Sequence, residues 1–258
     1  MPDGDHDAQN AGASGLRMIS PLCKRRTGRY GRASAVFLAV GTLVAGAARA
    51  QNAHDQNLAW CTGDDLERKM RGCSALIESG QETPETLAIA FLNRGNALDD
   101  NGQIELAIQD FDKAIKQNPL SAEAFCRRGV AFEQKGEFDS AIADYDNAVK
   151  LDPNNAKSFA NRGHAHSRKK EFDRAIEDFT QSIKLNPNDA RTFDLRAYAY
   201  SQNAQYDLAI QDCDQAIKLD PNDAHAYYVR GLARQKKGDK SGGKADIATA
   251  KQLDPKVE

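Results

Sequence analysis

The sequence predicts an all-α protein, an α-solenoid of stacked helical hairpins, from three observations. An arginine followed by a small residue recurs every 34 residues, at Arg94, Arg128, Arg162, Arg196 and Arg230. An Asn-Pro or Asp-Pro pair keeps the same step, with its proline at Pro119, Pro153, Pro187, Pro221 and Pro255. Only 7% of the residues are aromatic, which suits a helical protein better than a β-sandwich. A fixed period of this length predicts small units that bury their apolar faces only by stacking.

Residues 1–50 have the pattern of a cleavable export signal. Basic residues between Lys24 and Arg32 precede a charge-free apolar run at 35–47, and Ala48-Arg49-Ala50 supplies the small-x-small pattern of a signal-peptidase site. The apolar run is too short to cross a bilayer comfortably. We expect cleavage after Ala50 and a periplasmic or secreted mature chain. An uncleaved anchor is the alternative, and Met18 is an alternative start.

The charge of the mature chain bears on its partners. Cleavage removes seven of the 35 basic residues and three of the 37 acidic ones, which leaves a net charge of about −6. This balance argues against nucleic acid as a partner. No membrane insertion is expected after cleavage.

The sequence contains no convincing catalytic or metal-binding pattern. No Ser-His-Asp, paired catalytic carboxylate or metal-ligand spacing stands out, and His164 and His166 point in different directions on a helix. Segment 238–245 has the spacing of a phosphate-binding loop, but it lies between two helices and has Ala245 where a hydroxyl is required. The prediction is therefore a protein that is not an enzyme and has no cofactor.

Residues 51–87 predict a linker and a capping helix ahead of the array. Leu66, Met70 and Leu76 share one face of a helix from about residue 64 to residue 79, which Gly80 closes. Cys61 and Cys73 are the expected disulfide pair in an oxidising compartment. The bridge requires a turn between the two cysteines, because on one continuous helix they would lie about 18 Å apart.

The array itself divides into five units of 34 residues when each proline of the second marker is set at position 32: 88–121, 122–155, 156–189, 190–223 and 224–257. Position 4 is aromatic, positions 8 and 20 are Gly or Ala, and position 24 is aromatic in three units. Large and very small residues alternate at helical spacing, which predicts two closely packed helices per unit. Gly at position 15 in three units and the Asn/Asp-Pro pair end these helices.

This pattern resembles the tetratricopeptide repeat, which has its aromatic, Gly, Ala and Pro residues at these offsets. The resemblance covers residues 88–257 and implies a right-handed superhelix whose first helices line a concave groove for a peptide or helix. It implies a non-enzymatic protein–protein interaction module, and together with the export signal it leads to the expectation of a scaffold or adaptor in a bacterial cell envelope. The alternative is a self-assembling assembly factor of an envelope complex, which would make the chain a homo-oligomer.

A regular pair of charges is predicted to hold each unit together. Position 7 is always arginine and position 23 always aspartate, so an ion pair between the two helices of each unit is expected: Arg94 with Asp110, Arg128 with Asp144, Arg162 with Asp178, Arg196 with Asp212 and Arg230 with Asp246. The alternative is an arginine ladder for an anionic ligand. Because position 7 shares a side with the packing positions 4, 8 and 11, the structural interpretation is favoured.

The variable positions of the first helices are the candidate partner-binding residues. They are Asn96, Cys126, Val130, His164, Asp194, Tyr198 and Tyr228, with Lys157 and Arg191 at the mouths of their units. For any one of these residues, an ordinary helix surface without a ligand is the alternative.

Overall fold

A computed structural model describes residues 49–257 of the chain, and every regular element in that range is an α-helix. The predicted signal lies outside the described residues except for its last two, which are helical. The helices are α1 (49–62), α2 (Leu66–Ser79), α3 (Pro84–Asp100), α4 (Ile104–Gln117), α5 (Ala122–Gln134), α6 (Phe138–Leu151), α7 (Ala156–Arg168), α8 (Phe172–Leu185), α9 (Ala190–Gln202), α10 (Tyr206–Leu219), α11 (Ala224–Lys236) and α12 (Lys240–Leu253). Among these helices, none is long and apolar enough to span a membrane.

The helices stack as pairs in two layers. From α3 onwards, each odd-numbered helix packs on the even-numbered helix that follows it, and that helix packs on the first helix of the next pair. The odd-numbered helices also contact one another, from α3 to α5 and on to α11, whereas the even-numbered helices in the described range do not. The odd-numbered helices therefore form an inner layer and the even-numbered ones an outer layer. The prediction of an all-α solenoid is confirmed.

Close packing within each pair depends on the small residue at position 8. A methyl group added to Gly95 would lie 2.6 Å from the ring of Phe111, and one added to Gly129 would lie 2.7 Å from the ring of Tyr145. Real side-chain atoms do not approach so closely, so glycine is what lets the position 24 ring pack directly against the first helix. In the fourth pair, position 8 is the larger Ala197, and position 24 is Cys213, which is smaller than the rings of the first three pairs. The two residues share a buried cluster.

The turn inside each pair takes a left-handed backbone at position 15. Gly102, Gly136 and Gly238 have φ values of 73°, 77° and 98°. Lys170 and Ala204 occupy the same position with φ values of 62° and 57°. The turn geometry is thus kept even where the sequence does not supply a glycine.

The front of the array is closed by α1 and α2. Helix α2 begins at Leu66 behind the N-cap Asp65, slightly later than predicted, and ends at Gly80 in the left-handed conformation. The chain turns back after α1, and the structure bridges Cys61 to Cys73 with their Cα atoms 4.6 Å apart. Helix α2 packs on α3 as an outer helix packs on the next inner one.

Candidate functional site

The candidate binding site is a cavity on the inner layer, where α5, α7 and α9 lie side by side. Its volume is about 660 Å³. Val130, Ala160 and Leu195 give it apolar walls. Its polar lining is Glu133, Gln134, Lys157, Asn161, His164, Arg168, Asp189, Arg191 and Thr192. A lining of this kind suits a peptide, because it offers both apolar contact and polar groups that fix register.

A partly buried glutamate, Glu133, organises one wall of the cavity. The Tyr145 hydroxyl donates to Glu133 Oε2 at 2.9 Å, and His164 Nδ1 pairs with Glu133 Oε1. The cluster joins α5, α6 and α7. Burial, together with the nearby Glu133 carboxylate, raises the pKa of Tyr145, so its hydroxyl stays protonated as a donor.

Two of the seven predicted groove residues line this cavity. Val130 forms part of an apolar wall, and His164 lies against Glu133. Asn96, Cys126, Tyr198 and Tyr228 are half-buried on the inner helices but do not line this cavity. The mouth residues Lys157 and Arg191 do line it.

Asp194 differs from a partner-binding residue because it is buried and already paired. Both of its carboxylate oxygens lie 2.8 Å from His225 Nδ1 of the next inner helix. The His225 ring in turn lies 6.0 Å from the ring of Tyr198, which contacts Phe172 edge to face. These contacts join α9 to α11 along the inner layer, so the structure gives Asp194 a role in packing.

Cys126 is also engaged within the fold. The Asn161 side-chain amide donates to its sulfur at 3.7 Å. Burial raises the pKa of this thiol, so it is held in the unreactive protonated form.

The position 7 arginines and position 23 aspartates meet in every pair. Each arginine donates through Nε and Nη2 to the two carboxylate oxygens of its aspartate, as in Arg128 with Asp144 at 2.8 Å and 2.6 Å. The same fork joins Arg94 to Asp110, Arg162 to Asp178, Arg196 to Asp212 and Arg230 to Asp246. All five aspartates are buried. The arginines therefore serve the fold and are not available as a ladder for a ligand.

A further contact of the same arginines was not predicted from the sequence. The remaining nitrogen, Nη1, donates to the preceding outer helix: to Ser74, Asp112, Asp146, Thr180 and Asp214 in turn. In the second to fifth pairs the acceptor is at position 25 of the preceding unit, and three of those four acceptors are aspartate. That recurrence is the signal that would have revealed the contact.

The described residues contain no group of three or more His, Cys, Asp or Glu side chains placed to hold a metal ion.

Models of the tetratricopeptide repeat match the chain at residues 92–156, 156–189 and 179–211, and a model of the TPR repeat matches at residues 197–238. No curated protein matches the sequence.

Solved structures share the fold. A structure described as YrrB, a TPR protein with an unusual peptide-binding site, is 20% identical with a TM-score of 0.60, over 71% of this chain and 92% of that one. MamA from Desulfovibrio magneticus is 21% identical with a TM-score of 0.62, over 66% and 96%. PilF of Pseudomonas aeruginosa is 20% identical with a TM-score of 0.59, over 67% and 78%. At these identities the likeness is one of fold alone.

Family models thus cover residues 92–238, which is most of the array, and its paired helices are those of a helix-turn-helix repeat. The chain belongs to the tetratricopeptide repeat family.

Proposed function

We propose that the protein is an exported, non-enzymatic interaction module that binds a peptide or helix of a partner protein in its inner groove, as a scaffold or adaptor in a bacterial cell envelope. The observation that carries the proposal is the cavity between α5, α7 and α9, with its apolar walls and polar lining. Membership of a repeat family built from stacked helices supports it. A peptide-binding site in YrrB, a protein of the same fold, supports it further.

Site-specific photo-crosslinking tests the groove. A photoreactive residue in place of Ala160, which lines the cavity, should give an adduct with a partner in the producing bacterium. The same residue in place of Ala143, exposed on the outer helix α6, is the matched control and should not. Tyr198→Ala with Tyr228→Ala should weaken the Ala160 adduct if these tyrosines extend the binding surface.

Three outcomes of the crosslinking separate the alternatives. Adducts from the Ala160 position with another protein, identified by mass spectrometry, support the proposal. Adducts from the Ala143 position alone would move the binding surface to the outer layer. An adduct between two copies of the chain from either position would favour the alternative, a self-assembling envelope factor.

The proposed export has its own test. The full-length chain, produced in a bacterium, should appear in the periplasm or medium with Gln51 as its first residue, because the small-x-small pattern ends at Ala50. Replacing Ala48 and Ala50 with bulkier residues should block this cleavage. A chain that stays in the cytoplasm with its N-terminus uncleaved would contradict the proposed location. It would leave the proposed binding in the groove untested and standing.

A further inference from the structure

The charged residues that line the inner cavity fall into two unequal classes. Its carboxylates, Glu133 and Asp189, are already used inside the protein. Glu133 accepts from Tyr145 and pairs with His164, and its side chain is only 13% exposed. Asp189 accepts from the Thr192 hydroxyl at 2.6 Å. Both carboxylates therefore already have a hydrogen-bond partner within the protein.

The cations of the same cavity have no such partners. Within residues 49–257, no carboxylate lies within ion-pair distance of Lys157, Arg168 or Arg191, and all three side chains are exposed. This contrasts with the position 7 arginines, each of which is held by a buried aspartate. Arg168 has a neighbour of another kind, because its guanidinium carbon lies over the Phe138 ring, 4.9 Å from the ring centroid.

The backbone adds to the positive potential at one edge of the cavity. Lys157 and Arg191 both occupy position 2 of their units, in the first turns of α7 and α9. The amino ends of two helices therefore point to the same edge, and each carries a partial positive charge. The helix ends and the two side chains together favour anionic groups there, against one opposing carboxylate, that of Asp189 at the N-cap of α9.

The positions of the three cations set the size of a ligand. Arg168 lies eleven residues after Lys157 on α7, about 16 Å along the helix axis. An extended peptide covers that distance in about five residues. Between these ends, Val130, Ala160 and Leu195 offer apolar contact.

We infer that the cavity binds an acidic peptide segment, with carboxylates at one end held by Lys157 and Arg191, carboxylates at the other end held by Arg168, and apolar side chains between them. This inference rests on the proposed groove function and adds the chemistry of the ligand. It assigns a cationic site to a chain whose formal net charge is −2, so the site attracts what the rest of the surface repels.

Fluorescence anisotropy with the full-length chain tests this chemistry. The probe is a labelled peptide, capped at both ends, with two glutamates on each side of a Leu/Ala spacer of about five residues. A peptide with lysine in place of every glutamate is its counterpart. A third peptide has a single anion, a free C-terminal carboxylate after the same spacer, and shows whether a chain terminus serves as well as acidic side chains.

The decisive variant reverses two charges of the site, Lys157→Glu with Arg191→Glu. The matched control is Lys150→Glu with Lys184→Glu, which changes the net charge equally at exposed positions near the ends of outer helices. We expect the glutamate peptide to bind the wild type, and the decisive variant to bind it at least about tenfold more weakly. The control variant should bind it nearly as well as the wild type.

The outcomes separate this inference from the function on which it rests. A lysine peptide that binds as well as the glutamate peptide, or equal loss in both double variants, overturns the acidic chemistry. If Ala160 crosslinking still captures a partner in that case, the groove function stands and only the ligand class is wrong. Absence of both peptide binding and Ala160 adducts overturns both. Binding of the third peptide alone overturns the internal segment in favour of a terminal carboxylate.

Discussion

A single arginine in each helix pair holds three groups together. Arg128 forks onto the buried Asp144, reaches Asp112 on the preceding outer helix at 2.5 Å, and lies over the Phe125 ring at 5.7 Å. The hydrogen bonds to Asp144 raise the pKa of Arg128, against the opposing effect of burial. Removing one partner of this pair should destabilise the fold, because the partner that remains is a charge buried away from water without its counter-charge.

The first prediction separates the two carboxylates that Arg128 contacts. Asp144 is 5% exposed and Asp112 is 52% exposed. Asp144→Ala should lower the free energy of unfolding by about 3 kcal/mol, because it leaves a largely buried guanidinium with only the exposed Asp112 as a charged partner. Asp112→Ala should cost only about 0 to 1 kcal/mol, because exposed ion pairs are screened by water.

Urea unfolding of the two variants measures this difference. Arg128→Ala should behave like Asp144→Ala, since it strands the other partner of the same pair. Equal stability of Asp144→Ala and the wild type would show that the buried fork contributes nothing.

The second prediction concerns the pair of Asp194 and His225. The hydrogen bond to Asp194 raises the pKa of His225 above its ordinary value, with burial opposing the shift and Asp223 adding to it. A raised folded-state pKa means that the pair stabilises fully below the unfolded pKa, near 6.5, and loses its effect as pH rises through the folded value. Asp194→Asn should therefore lower the Tm most at acid pH, by about 2 °C given the partial exposure of His225.

Thermal unfolding from about pH 5.5 to about pH 8.5 follows this effect. The difference between Asp194→Asn and the wild type should shrink towards the alkaline end. A difference that does not change with pH would mean that Asp194 acts only through packing.

At the scale of the helix pair, size matching decides how closely two helices approach. Gly163 faces the Phe179 ring, and a methyl group added to Gly163 would lie 2.9 Å from the nearest ring atom. In the fourth pair the small residue is larger and its neighbour smaller, as Ala197 and Cys213. The smaller Cys213 side chain leaves room for the Ala197 methyl group, which a ring at position 24 would not.

The third prediction uses the left-handed turn between the two helices of a pair. Ala204→Gly should stabilise the chain by about 1 kcal/mol, because alanine pays a steric cost at φ 57° that glycine does not. Gly136→Ala, at the same position of another pair, should destabilise it by a similar amount. Chemical unfolding of both variants measures the two changes in the free energy of unfolding, which should have opposite signs. Changes of the same sign would show that the left-handed turn does not determine the effect.

The contacts within one unit were predicted and those that join units were not, although the aspartate that recurs at position 25 carried a signal for one of them. The arginine and aspartate of one pair recur at positions 7 and 23, so their contact follows from the sequence alone. The cavity depends on how α5, α7 and α9 are spaced around the array, and no single unit contains that information. For the same reason the sequence did not reveal that Asp194 meets His225, a residue 31 positions later.

At the scale of the molecule, each pair of the array is supported only by its neighbours, so the ends need their own closure. The front has α1 and α2, joined by the bridge from Cys61 to Cys73. The cysteines are 12 residues apart, which gives a short covalent loop.

The fourth prediction is that loss of this bridge loosens the front of the array and leaves the back unchanged. Cys61→Ser with Cys73→Ser should reduce stability locally by about 3 kcal/mol, the value for a loop of this length. Hydrogen exchange should show lost protection in α2 and α3 and little change in α11 and α12. Cys126→Ser is the control, and an equal loss of protection in every helix would mean that the array unfolds only as a whole.

The acceptors that each arginine finds on the preceding outer helix are not alike. Arg128, Arg162 and Arg230 reach aspartates at 2.5 to 2.7 Å, whereas Arg196 reaches the neutral Thr180 hydroxyl at 3.0 Å. Dissolved salt weakens the first kind of contact and hardly touches the second. The interfaces between successive helix pairs therefore differ in their response to salt. Higher ionic strength should weaken the interfaces joined by Asp112, Asp146 and Asp214 more than the interface joined by Thr180.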